Sequence, residues 1–136
     1  LIVYELIEQD KKKGEANLKE ALVSAFRQCK GAYSVAIGTN DLLIAVRDPD
    51  GVRPLCIGTT NKGQYIVASE SCALDTVGAS FVREIAPGEI LIINKQQKLD
   101  SLLLTNEIKP HHCVFELIYF SRPDSLFRGL SIYHFR

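Results

Sequence analysis

The densest chemistry in this sequence lies in one octapeptide, Arg47-Asp48-Pro49-Asp50-Gly51-Val52-Arg53-Pro54. Its two prolines fix φ, and Gly51 permits a backbone conformation that other residues avoid. Asp48 and Asp50 can accept hydrogen bonds from local amides, and Arg47 and Arg53 can pair with them. The residue types leave two readings open: a rigid turn closing two strands, or a loop that shapes the wall of a binding site with Asp48 and Arg53. Ser69-Glu70-Ser71 divides the same way, between a helix cap and a polar element, Glu70, beside a site. His111, His112 and Cys113 stand in a row. Neighbours on an extended strand face opposite ways, so these three are expected not to share a metal.

Generic catalytic motifs are absent. There is no GxGxxG, no Gly-rich phosphate loop and no HExxH, and no Ser, Cys or Thr sits in a nucleophile setting. The four cysteines, Cys29, Cys56, Cys72 and Cys113, form no CxxC pair. They read as buried or half-buried thiols in a reducing compartment, and a cytoplasmic location is expected.

The elements that must position these residues follow from periodicity. Residues 1–9 carry apolar side chains compatible with the end of a buried helix. A second helix is expected over 15–29, where Ala16, Leu18, Ala21, Leu22, Ala25, Phe26 and Cys29 recur at three- and four-residue spacing, with Lys30-Gly31 as its stop. Strands are expected over 32–38, 42–47, 55–58, 64–68, 81–85, 89–94 and 96–104, with turns at 39–41, 59–63 and 87–88. A short helix opens after Ser69 or Ser71 as N-cap and runs through Leu74 and Asp75. The pattern reads as an α+β unit, two helices followed by a long antiparallel meander. The apolar, aromatic run 111–121 reads as a further strand, and it leads into a different unit. The expected division is 1–109 and 110–136.

The composition bounds the rest. A chain of 136 residues is one domain of ordinary size, and 46% hydrophobic with 24% charged residues is enough apolar material for a core. Formal net charge zero gives no electrostatic reason to bind nucleic acid or anionic lipid. The apolar stretches fall short of the roughly 20 residues a membrane span needs, so no membrane partner is expected. With no methionine at all and residue 1 a leucine in an apolar run, the chain reads as a piece of a longer protein. A domain cut at one end is expected to expose sheet edges and to associate.

Three ordered blocks carry a specific resemblance: GAYSVAIGTNDLLIAVRDPDGVRPLCIG (31–58), YIVASESCALDTVGASFVREIAPGEILII (65–93) and CVFELIYFSRPDSLFRGLSIYHFR (113–136). The first two resemble class II glutamine amidotransferase domains. The third resembles the junction between the glutaminase and phosphoribosyltransferase domains of the amidophosphoribosyltransferase family. The resemblance implies an Ntn-hydrolase-type αββα four-layer sandwich, here incomplete at the N-terminus: two stacked antiparallel sheets between helical layers. It implies an enzyme that makes 5-phosphoribosylamine from phosphoribosyl pyrophosphate and glutamine, the committed step of purine synthesis. An N-terminal cysteine attacks the carboxamide with its own α-amino group as base, an Asn-Gly pair holds the oxyanion, and ammonia passes inside the protein to a site where Mg²⁺ helps bind the pyrophosphate.

In that family the nucleophile and the glutamine-binding residues precede the position of Leu1, and the phosphoribosyl pyrophosphate loop lies beyond Arg136. No residue of this chain is therefore assigned a catalytic role, the Mg²⁺ site falls outside it, and the chain alone is expected to be inactive. Asp48, Arg53 and Glu70 remain as elements of a site wall. Some members carry a 4Fe-4S cluster, and Cys113 stands either as one of its ligands or as a buried thiol. A homo-oligomer, dimer or tetramer, is expected of the family. Two other readings stay open: another class II amidotransferase, of the glucosamine-6-phosphate synthase or asparagine synthetase type, or a non-catalytic homologue acting as a binding module.

Overall fold

The computed structural model describes residues 15–108 and 110–136. The helix expected over 1–9 lies outside them. Helix α1 is Glu15–Gln28. Strands β1 (Ser34–Gly38), β2 (Leu42–Arg47), β6 (Glu89–Asn94) and β7 (Leu99–Leu103) form one antiparallel sheet in the order β1-β2-β6-β7. Strands β3 (Cys56–Thr59), β4 (Tyr65–Ala68) and β5 (Ser80–Glu84) form a second, in the order β4-β3-β5, with the short helix α2 (Ser71–Thr76) between β4 and β5.

The elements agree with the periodicity to within a few residues at their ends, but their connection does not. A single meander would pair each strand with the next. Instead the chain leaves the first sheet after β2, builds the second, and returns to lay β6 against β2, with Ile44 opposite Ile92 and Ala45 opposite Leu91. The alternation of strand side chains explains the layering. One face of the first sheet, with Ile44, Val46, Ile90 and Ile92, packs on Leu22 and Phe26 of α1. The other face, with Ala45, Leu91 and Ile93, packs on Ile57 of the second sheet and on Leu55 and Ile85 at its ends. The outer face of the second sheet, with Cys56, packs on Leu74 of α2. These layers run helix, sheet, sheet, helix, the αββα order of an Ntn-hydrolase-type sandwich.

Each isoleucine or leucine fully removed from water contributes about 1.5–3 kcal/mol. Ile57, Ile85 and Leu91 between the sheets and Leu22, Ile44 and Ile90 under α1 are all at 0% exposure, so both apolar layers hold the sandwich. Gly58 lets α2 sit directly on β3, since a Cβ there would lie 2.8 Å from both Leu74 Cδ1 and the Ser80 carbonyl oxygen. Lys19 pairs with Asp100, and Arg27 Nε donates to the Leu104 carbonyl at 2.7 Å, tying α1 to the β7 edge. Gln97 Oε1 accepts the Tyr65 N–H at 2.8 Å and joins the two sheets at the far end.

The last segment departs from its expected strand. Residues 114–115 are helical and Glu116–Phe120 is a single π-helical turn, closed by the Ser121 N–H donating to the Glu116 carbonyl at 3.1 Å. A continuous apolar run does not distinguish strand from helix, and here Glu116, not its apolar neighbours, turns inward. A two-stranded hairpin follows, β8 (Leu126–Phe127) with β9 (Leu130–Ser131), and then a 3₁₀ turn, Ile132–Phe135.

Candidate functional site

Both crossovers between the sheets meet at one charged node. Arg47 is only 1% exposed. Its Nε donates to the Arg53 carbonyl at 2.9 Å, Nη1 to the Ile85 carbonyl at 2.6 Å, and Nη2 to the Gly51 carbonyl at 3.1 Å. Glu84 Oε2 stands 3.6 Å from Nη1. Asp48 is equally buried and turns its carboxylate onto backbone: Oδ1 accepts the Asp50 and Val52 N–H groups at 3.0 and 3.4 Å, and Oδ2 the Tyr33 N–H at 3.3 Å. The Asp48 carbonyl takes the N–H groups of Gly51 and Gly88 at 3.0 and 2.8 Å, which locks the outgoing and returning crossovers together. Gly51 has φ +59°, and a Cβ on it would fall 2.5 Å from Pro87 Cγ. The octapeptide is therefore a rigid turn in which Asp48 is engaged by backbone amides.

Arg53 and Glu70 face a different task. Arg53 Nε lies 2.7 Å from Glu116 Oε1, and its guanidinium stands 4.6 Å from the Phe120 ring centroid. Glu70 Oε2 accepts the Arg122 N–H at 2.8 Å and the Ser125 hydroxyl at 2.7 Å. Next to it, Ser71 Oγ accepts the Leu126 N–H at 2.8 Å. Neither Ser69 nor Ser71 caps α2; the N-cap is Glu70, with no side-chain cap bond. The structure thus brings Arg53 and Glu70 onto the segment after residue 110, while Asp48 sits in the turn behind them.

Glu84 and Glu116 complete this contact and were not singled out by residue type. Glu84 Oε1 accepts the Arg128 N–H at 2.7 Å. Glu116 is 4% exposed and also accepts the Ser121 hydroxyl at 2.9 Å. The signal for Glu116 was available: it is the single charge within the apolar run 113–120, and a buried carboxylate needs a cationic partner.

The row of three ligands separates. His111 Nδ1 is 3.3 Å from Asp50 Oδ1, and His111 N–H donates to the Asp50 carbonyl at 2.7 Å. His112 stands edge-on to Phe127, ring centroids 5.0 Å apart, with its Nδ1 buried and unpartnered. Burial first, then Arg128 and Arg47, hold this imidazole below its ordinary value, so it is neutral at pH 7. Cys113 is half-buried. No group of three or more His, Cys, Asp or Glu side chains suited to a metal gathers among the described residues.

Burial, then Glu84, Cys72 and Glu70, push the Cys56 thiol up to about 11, which keeps it protonated. Cys29 is exposed, contrary to its expected place on the apolar face of α1. The network holds chain segments in place; Cys72 Sγ lies 3.8 Å from Glu70 Oε2 within it, and Ser131 Oγ lies 3.0 Å from His134 Nδ1 outside it.

Residues 6–76, just over half of the chain, match the family described as "Glutamine amidotransferase domain". The chain belongs to the glutamine amidotransferase domain family. The relatives extend this beyond the family boundary. The amidophosphoribosyltransferase of Synechococcus elongatus is 49% identical over 119 residues, covering 85% of this chain and 24% of the relative. That of Bacillus subtilis is 42% identical over 126 residues, 93% of this chain and 26% of the relative. Among solved structures, the glutamine phosphoribosylpyrophosphate amidotransferase of B. subtilis, complexed with ADP and GMP, superposes with TM-score 0.83 at 41% identity, covering 96% of this chain and 28% of that one. A structure described as the allosteric regulatory enzyme of purine biosynthesis gives the same TM-score and identity. The chain therefore spans about a quarter of the length of these proteins.

Proposed function

We propose that this chain is the frame of the glutaminase domain, and the exit from it, in an enzyme that makes 5-phosphoribosylamine from phosphoribosyl pyrophosphate and glutamine, with release of glutamate and pyrophosphate. The observation that carries this reading is the continuity of the structural match: 96% of the chain, sandwich and following segment alike, follows one solved amidotransferase of that substrate at 41% identity. Other class II amidotransferases share the sandwich but continue differently after it, so residues 113–136 are what favour this acceptor over a sugar phosphate or an aspartyl-adenylate.

Within such an enzyme the chain's part is positional. Residues 1–109 belong to the glutaminase domain and 110–136 lead into the phosphoribosyltransferase domain, where Mg²⁺ when bound would help hold the pyrophosphate. Glutamine cleavage of this type needs a cysteine with a free α-amino group as its base. Cys29, Cys56, Cys72 and Cys113 are internal, so none is the nucleophile. The free thiols fit a reducing compartment, and we place the enzyme in the cytoplasm as a homo-oligomer; an Arabidopsis relative is chloroplastic by name.

The test is an assay of the full reading frame. Glutamate and pyrophosphate should appear in equal amounts from glutamine and phosphoribosyl pyrophosphate, and the 136-residue chain alone should release no glutamate. Glutamate release that depends on fructose 6-phosphate, or on aspartate with ATP, would assign the chain to another amidotransferase.

A further inference from the structure

Residues 122–128 are fastened to the sandwich mainly through their backbone. Arg122 N–H and Ser125 Oγ both donate to Glu70 Oε2, Leu126 N–H donates to Ser71 Oγ, and Arg128 N–H donates to Glu84 Oε1, all within 2.8 Å. Arg128 takes a left-handed φ of 51°, which aims its amide at Glu84. Apolar packing contributes little to this attachment, since no residue after Leu104 belongs to any of the three hydrophobic clusters of the described residues. Three of the four bonds have backbone donors and so hold the path of the chain independently of the side chains at 122, 126 and 128; the fourth uses the Ser125 hydroxyl.

We propose that Glu70, Ser71 and Glu84 are positioning residues. By holding the backbone of 122–128 they set where the following chain stands on the glutaminase sandwich. In the enzyme proposed above, on which the activity readout depends, nitrogen freed from glutamine is then used in the second reaction instead of escaping as free ammonia. None of the three needs to touch substrate for this.

The full-length protein provides the test. Glu70→Ala removes the acceptor of the Arg122 amide, the Ser125 hydroxyl and the Cys72 thiol, whereas Glu70→Gln keeps one carbonyl oxygen for them. In Glu70→Ala, glutamine-dependent synthesis of phosphoribosylamine should fall about tenfold, the factor expected from losing hydrogen bonds to a charged acceptor. Synthesis from ammonium chloride should stay at the wild-type rate, which also shows that the variant is folded. Glu70→Gln should restore most of the glutamine-dependent rate. Hydrogen exchange should speed up at the amides of Arg122 and Leu126 in Glu70→Ala, and at Leu126 in Ser71→Ala. Equal losses with both nitrogen donors, no rescue by glutamine at 70, or unchanged exchange over 122–128 would each overturn the proposal. A wild-type protein that makes no phosphoribosylamine from either donor overturns the functional reading instead, and the exchange measurements then decide the positioning role alone.

Discussion

The sandwich buries mostly apolar residues, whereas the segment after Cys113 buries mostly polar ones. In the sandwich Ile44, Ile57, Ile85, Ile90 and Leu91 are withdrawn from water. In the segment the inward side chains are Glu116, Ser121 and Ser125, together with Ile132, while Phe115, Ile118, Tyr119 and Tyr133 face out, Tyr119 at 77% exposure. The outward rings of Phe115, Tyr119 and Phe120 also touch one another, with centroids 5.6–6.3 Å apart. These side chains leave an apolar surface exposed on the segment. The contrast shows that one chain can be held together by two mechanisms. Burial holds the sandwich together, and polar hooks hold the segment on it.

The largest effect should come from the node that joins the crossovers. Arg47→Leu leaves the carbonyls of Gly51, Arg53 and Ile85 without their donor and Glu84 without its cation. Removing one partner of a buried charged network costs about 3–5 kcal/mol, even where replacing the whole network by apolar groups would be neutral. Urea unfolding should show a loss of that order, read from the shift in midpoint. A variant with the wild-type midpoint would mean that the turn is a lid on the sandwich and not part of its frame.

A smaller effect, with a sign set by pH, belongs to Glu89. This carboxylate at the start of β6 receives Arg83 at 2.8 Å through both guanidinium nitrogens, the Ser101 hydroxyl at 2.7 Å and the Ala86 N–H at 2.8 Å. Burial pushes its pKa up, but Arg83 and the other donors outweigh burial and hold it below the ordinary 4.5. A carboxylate depressed in the folded state contributes stability above its unfolded value, and that stability is lost as pH falls through the folded value. The urea midpoint should therefore decline as pH drops below about 4.5. Glu89→Gln should lower the midpoint at neutral pH and flatten that acid decline. An unchanged acid slope would remove Glu89 from the frame of the sandwich.

The fold was legible where one period dominates. The apolar runs 42–47 and 89–94, bounded by turn residues, correspond to β2 and β6 with the same ends, and the helical face expected over 15–29 corresponds to α1, one residue shorter. Sheet membership was not legible, because the pairing of β2 with β6 depends on the closing of two turns around Arg47 and Asp48, which no local window contains. The fate of 114–120 was hidden for another reason: its apolar residues stay outside the core, and a continuous apolar run does not distinguish a strand from the helical turn found there. Of the site residues, Asp48, Arg53 and Glu70 were found as chemically dense positions. Their partners lie 50 or more residues away for Glu70 and in a misread element for Arg53, so their work as attachment points was visible only in three dimensions.

The smallest expected effect separates the two regions most cleanly. Arg53 is the cation of the segment's one buried carboxylate: its Nε sits 2.7 Å from Glu116 Oε1, and its own side chain is 44% exposed. Arg53→Ala strands Glu116 with the Ser121 hydroxyl as its remaining side-chain donor. If Glu116 belonged to the core, that would cost several kcal/mol, as for Arg47. Because it belongs to a segment outside the apolar cores, the π-helical turn can lift and return the carboxylate to water, which limits the global cost to about 0–1 kcal/mol. The urea midpoint of the sandwich should thus barely move, while chymotrypsin should cut faster after Phe115, Tyr119 or Phe120, whose side chains are already exposed. If instead Arg53→Ala lowers the midpoint as far as Arg47→Leu does, with no faster cleavage, segment and sandwich unfold as one unit and the division between them fails.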